Sequence, residues 1–201
     1  MYTYRKIKVS CNDSPKRFYR VMYVREDLTL FQIGVVVLKA LRAEFEHYYV
    51  FYDKSHRYED ESWLDDSPRE PGYDLDYEKH YLKDLDLNSQ DAFKLLYDTG
   101  DGWEFTIKLY KKTETLDGND ENKMKYGYVT EAKGDRIWED YRSTFWQYLN
   151  GELADEKKLM DEDHPWNTPD GPLTLFDAEI DLDELNSEVY DASLLEHDQY
   201  Y

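Results

Sequence analysis

The segment that most constrains what this chain can fold into is Asp98-Thr99-Gly100-Asp101-Gly102. It separates two short runs, Phe93–Tyr97 and Trp103–Leu109, the second of which strictly alternates apolar and polar residues. That period of two is the pattern of a strand with one face buried. The Asp-Gly pair between the runs supplies the positive φ that a tight reversal demands. A chain built around such a bend commits to antiparallel pairing, and with it to a sheet that needs covering.

The rest of the chain supplies further strands and the cover. Tyr4–Val9 and Phe18–Val24 alternate in the same way on either side of the turn-prone Asn12-Asp13-Ser14-Pro15, which predicts a second hairpin. Thr29-Leu30-Phe31-Gln32 has the spacing of a capping box and opens an apolar run to Leu41, so a helix starts there. His47–Tyr52, dense in aromatics and Val, reads as a third strand. Residues 126–130 suggest a short strand. Ile137–Asn150 spaces Trp138, Tyr141, Phe145, Trp146 and Leu149 at helical intervals, with Gly151 placed to end the helix. Glu152–Met160 could form another helix. The order predicts an α+β fold: a mixed, mostly antiparallel sheet with a β-grasp-like hairpin-helix-strand start, covered by helices.

Charge divides the 201 residues unevenly. The net charge is -20, but Glu59–Glu78 holds nine acidic residues against one basic, and Glu152–Tyr201 sixteen against two. The remainder is close to neutral. The expected organisation is therefore a domain over 1–150, interrupted by an acidic insertion at about 54–79, and an acidic C-terminal extension over 151–201 that docks partly on the domain through Leu175, Phe176, Ile180, Leu182, Leu185 and Val189. Both acidic stretches would repel a phosphate backbone, so direct nucleic-acid binding is not expected. The longest apolar run, Ile33–Leu38, is far short of a membrane span, and no membrane partner is expected. One cysteine, Cys11, cannot form an internal disulfide, and no leader precedes the first strand, which together point to the cytoplasm.

Several stretches resemble the plasmid pRiA4b ORF-3-like family, a prokaryotic group found on plasmids and mobile elements and mostly of unknown function. Asp98-Thr99-Gly100-Asp101-Gly102-Trp103-Glu104 is similar to its Asp-Phe-Gly-Asp-Gly-Trp-Glu signature. Phe18-Tyr19-Arg20 resembles its Trp-Arg-Arg strand, Thr29-Leu30 its helix start, and His47 with Phe51 its His-x-x-x-Phe strand. Lys133-Gly134, Glu139-Asp140 and Phe176–Asn186 resemble later elements. The resemblance implies a compact α+β fold. Thr99, Tyr49 and Tyr141-Arg142-Ser143 depart from it, the last replacing a Cys-Gly-Gly.

The candidate ligand-binding residues are His47, Asp98, Asp101, Trp103, Glu104, Glu139 and Asp140. The five carboxylates are the set that would gather around a divalent metal, because hard cations want several oxygens at one point. Each also has a plain structural reading. Asp98 and Asp101 suit a tight turn, Glu139-Asp140 suit the start of a helix, Trp103 suits a core, and His47 suits a hydrogen-bonded strand position. No hydrolase, phosphate-loop or Cys-x-x-Cys motif is present, Asp117–Asn122 lacks the glycine a calcium loop needs, and no cofactor or catalytic residue is implied.

The sequence therefore reads as a non-catalytic binding module of mobile-element origin that recognises a protein partner. The enzyme alternative is a metal-dependent hydrolase or nuclease, which requires those carboxylates to meet in one pocket. A third reading has the acidic stretches, interleaved with Tyr73, Tyr77, Trp166, Phe176 and Tyr190, imitate nucleic acid and occupy a basic nucleic-acid-binding protein.

Overall fold

The structure, a computed structural model, describes residues 1–45, 47, 49–51, 80–84, 92–116, 125–152 and 179–190, and the backbone alone at 52, 57–58, 73–74, 167–168 and 171–172. The Asp98 turn joins β6 (Ala92–Tyr97) to β7 (Trp103–Leu116) as an antiparallel pair, with Tyr97 opposite Trp103. Gly102 takes φ +72°, as the Asp-Gly pair predicts, and its amide donates to Asp98 O. β7 then pairs with β1 (Tyr2–Cys11), which pairs with β2 (Tyr19–Arg25), both antiparallel. β3 (Tyr49–Tyr52) adds to the β6 side, and β8 (Gly127–Lys133) to the β2 side. These six strands are antiparallel throughout. Two-residue strands β4 (Arg57–Tyr58) and β5 (Tyr73–Asp74) extend the β3 edge, so the stretch read as an insertion contributes pairing there; its side chains lie outside the described residues. β9 (Asn167–Thr168) and β10 (Gly171–Pro172) form a separate two-stranded pair.

Alternation decides which face is covered. Ile7, Val9, Met22, Val24, Phe93, Leu95, Phe105 and Ile107 join one buried cluster with Ile33, Val36 and Val37 of α1 (Leu30–Ala40). Burying aliphatic and aromatic side chains of this size, at roughly 1.5–3 kcal/mol each, is the main force holding the helices on that face. The opposite face carries Lys6, Lys8, Lys94 and Lys108, with Lys8 set 4.2 Å above the Tyr19 ring. α1 is apolar on nearly every side and is buried on nearly every side. Its start is the capping box expected: Gln32 N donates to Thr29 Oγ1 (3.2 Å) and Thr29 N to Gln32 Oε1 (3.1 Å).

α2 (Arg142–Leu149) is shorter than the helical spacing predicts. The Ile137 amide donates to Leu41 O instead of entering a helix, and Asp140 takes φ +62°, which no continuing helix tolerates. The helix ends as expected, with Gly151 at φ +72°, Gly151 N donating to Tyr148 O and Glu152 N to Gln147 O. Phe145 alone is buried from α2, against Phe18, Trp103 and Trp138. α3 (Leu182–Tyr190) buries Leu185 and Val189, and its Asn186 amide bonds both the N–H and the carbonyl of Val129 on the edge strand β8. The helix expected over 152–160 and most of the acidic stretches lie outside the described residues. No helix among the described residues is long and apolar enough to cross a membrane.

Arg20 is fully buried on β2 and donates to Ala40 O at the end of α1 (2.6 Å), to Tyr19 O, to Lys133 O at the end of β8 and to Asp135 O just beyond it. Burial pushes its guanidinium down to about 9, against the pull of Asp135, so it stays cationic at neutral pH. Replacing it should strand several carbonyls at once. Arg20→Met should lower the unfolding free energy by on the order of 3 kcal/mol, since each stranded buried acceptor costs about 1–3 kcal/mol. Arg20→Lys should restore only part of that, because one ammonium cannot reach all four carbonyls; urea denaturation of the two variants checks both.

Candidate functional site

Beyond the sheet end where β6 turns into β7, three segments meet: the Asp98 turn, the loop from α1 to β3, and the segment from β8 to α2. Asp98 is 4% exposed, and its Oδ1 accepts from both Gly100 N and Asp101 N at 3.1 Å. This is the local turn chemistry expected of it. The same residue faces His47, whose Nδ1 lies 3.7 Å from Asp98 Oδ1 and whose Nε2 lies 3.3 Å from Asp140 Oδ1. One donor atom from each of His47, Asp98 and Asp140 lies within 4.8 Å of the others. The Tyr97 ring meets the His47 ring edge to face at 6.1 Å.

Polar groups are left unsatisfied here more than elsewhere. Of seven buried side-chain polar atoms without a hydrogen bond among the described residues, six belong to His47, Tyr97, Asp98, Trp103, Glu139 and Arg142, all at this end. Most buried polar groups in folded proteins find a partner, so a concentration of orphans marks a place to look for a ligand. Backbone strain gathers in the same place. Among the described residues, the non-glycine ones with positive φ are Arg42, Phe45, Asp98 and Asp140, two of them in the cluster and two in the loop that delivers His47.

Glu139 stands at the border of the cluster. Its Oε1 accepts from Glu44 N, and burial raises its carboxyl above the usual range. The Tyr97 hydroxyl is raised too, first by burial and then by the nearby Glu139 charge, although neither the hydroxyl nor Glu139 Oε2 makes a hydrogen bond of normal geometry. Glu139 and Asp140 precede α2 instead of opening it. The helix start is capped from another segment, by Asp101 Oδ2, which accepts from Arg142 N at 3.0 Å.

The remaining candidates go to other tasks. Trp103 is fully buried, stacked on Phe105 and edge-on to Phe145, as a core residue. Glu104 points to the opposite sheet face, where its Oε2 accepts from Asn12 Nδ2 at 2.7 Å and Lys94 Nζ at 3.0 Å. The structure thus brings together His47, Asp98 and Asp140, sets Glu139 beside them, and takes Asp101, Trp103 and Glu104 away. Sequence reasoning missed Tyr97 and Arg142. Arg142 ties the two turns at this end together, pairing with Asp13 at 2.7 Å and donating to Asp101 O.

An antiparallel sheet covered on one face by helices, with a polar cluster at one hairpin end among the described residues, defines an α+β protein. The sequence model of the family described as "Plasmid pRiA4b ORF-3-like protein" matches residues 3–184, and the chain belongs to that family. No curated protein matches it. It is similar to the crystal structure of a protein of unknown function from Methanosarcina mazei Go1, at 17% identity and a TM-score of 0.58, over 82% of this chain and 85% of that one. At that identity the likeness concerns the fold.

Lys94, and after it Asn12, hold the Glu104 carboxyl below its ordinary 4.5. A depressed carboxylate contributes stability that is present above its unfolded value and lost as the pH falls through the folded one. Glu104→Gln should therefore cost stability at neutral pH, and the gap to wild type should close progressively below about pH 4.5. Thermal melts across that range check it; a gap unchanged by acid would show the pair to be inert.

Proposed function

We propose that the protein is a non-catalytic binding module of mobile-element origin, acting in the cytoplasm, which recognises a protein partner with the end formed by His47, Asp98, Glu139 and Asp140. The observation that carries this reading is the division of labour among the carboxylates. A hydrolase or nuclease of the two-metal kind needs enough free carboxylate oxygens to clamp ions about 3.5–4 Å apart on either side of a reacting group. Asp101 is bound to the start of α2 and Glu104 to Lys94 and Asn12, which leaves Asp98, Asp140 and Glu139, and Glu139 gives one oxygen to Glu44 N. Asp98 already gives one oxygen to its turn. Such a set supports one contact point at a surface better than it supports a reaction centre.

The rim supports recognition as well. Asp140 is 61% exposed at its side chain, while Asp98, on the other side of His47, is 5% exposed, so a partner would meet an exposed charged group with a buried one behind the imidazole. A photo-crosslinking amino acid at exposed Glu44, beside Glu139, should give one recurrent protein adduct identified by mass spectrometry. The same residue at Lys108, on the opposite sheet face, should give none. Sustained turnover of phosphodiester or ester substrates in the presence of magnesium, manganese or zinc, abolished in Asp98→Asn, would overturn the non-catalytic reading.

A further inference from the structure

We propose that His47, Asp98 and Asp140 hold one divalent transition-metal ion, zinc being the best match, with a coordination position left open toward solvent. This deepens the preceding reading and rests on it: the ion would be the group that a partner's own donor completes. Asp98 is the first of the three donors. Its side chain is more than nine-tenths buried, and although Oδ1 is satisfied by two amides, Oδ2 has no hydrogen bond. A carboxylate oxygen taken from water without a partner is costly, and a cation is what removes that cost.

His47 repeats the pattern. Its Nε2 is buried without a hydrogen bond while standing 3.3 Å from Asp140 Oδ1. An imidazole bridging two carboxylates by hydrogen bonds would bring both contacts to about 2.7–3.2 Å. Here the Nδ1 contact is 3.7 Å and the Nε2 contact fails on geometry. Only one ring nitrogen can bind a given ion; the 3.3 Å from Nε2 to Asp140 Oδ1 is the separation that bonds of about 2.0–2.1 Å in a tetrahedron place between neighbouring donors, and one donor atom from each of the three residues lies within 4.8 Å of the others.

The donor set selects the ion. Magnesium and calcium prefer oxygen ligands throughout, calcium in numbers of about 6–8. One imidazole with two carboxylates suits zinc, or next manganese or cobalt, and balances two negative charges against two positive. Three protein ligands leave a fourth position for water or for a group from outside. Asp140, the exposed member, lies at that opening.

The test uses the full chain after chelator treatment. In high salt, to suppress diffuse cation binding by the acidic stretches, zinc titrated calorimetrically should bind at one equivalent and raise the melting temperature. Cobalt should give the visible absorption of a four-coordinate site. Asp140→Asn, at an exposed position that leaves the fold intact, should weaken zinc by at least about tenfold, and His47→Gln should weaken it further. Zinc, manganese and cobalt all binding more weakly than about 1 mM would overturn the inference, as would equal binding by wild type and Asp140→Asn. If His47→Gln fails to fold, the Asp140→Asn comparison alone decides. Failure of the metal together with a surviving crosslink from Glu44 overturns only the ion; loss of both removes the binding end itself.

Discussion

The carboxylate of Asp98 is the contact on which most of this molecule turns. Through Oδ1 it gathers the amides of Gly100 and Asp101 and so shapes the reversal that aligns β6 with β7. That alignment sets Trp103 opposite Tyr97 and turns Trp103 into the aromatic core, where Phe145 fastens α2. The reversal also aims Asp101 at the Arg142 amide, so the turn that starts one strand starts the second helix as well. Its other oxygen, Oδ2, makes no hydrogen bond, beside the candidate cluster. Fold and site are thus two uses of one side chain, and a change made for one necessarily tests the other.

A second constraint decides whether the other two members of the cluster arrive. His47 sits on the loop that leaves α1, and Asp140 on the segment that leaves β8, far apart in sequence. Buried Arg20 bonds the carbonyls at the root of both, Ala40 on one side and Lys133 and Asp135 on the other. Arg42 repeats the link one step farther out by pairing with Asp135, and Glu139 closes it by accepting from Glu44 N. Carbonyls offer acceptors without charge, so the buried cation is held by dipoles from three elements rather than by a single counter-ion. That is why its position registers the elements relative to one another, as a single ion pair would not.

What was legible in the sequence is what local chemistry fixes. The Asp-Gly reversal, the first hairpin and the capping box at Thr29 depend on residues within a few positions of one another, and each stands where the pattern puts it. The start of α2 was not legible, because the aromatic spacing from Trp138 runs on through residues whose amides are taken elsewhere: Ile137 by Leu41, and Arg142 by Asp101. Periodicity reports which side chains face the core, and Ile137 and Trp138 do face it without being helical. The same blindness applied to the candidate residues. Seven polar or aromatic positions in plausible places could be named, but only pairing across the sheet separates Glu104, which faces the lysine side, from Asp98, which does not.

The asymmetry within the cluster suggests how it differs from a purely structural polar network. A network that merely secures the fold gains by satisfying every member, because each orphan in a low-dielectric setting subtracts from stability. Here the chain satisfies the half of Asp98 that the turn needs, leaves the other half bare, and places a largely exposed carboxylate across the His47 ring from it. The local backbone holds unfavourable φ values at both aspartates to keep that arrangement. Strain and missing hydrogen bonds thus gather in one place, with a buried cation and an aromatic core on either side. The single thiol lies apart from this cluster: Cys11 is buried on the core face of β1, where burial pushes its pKa up.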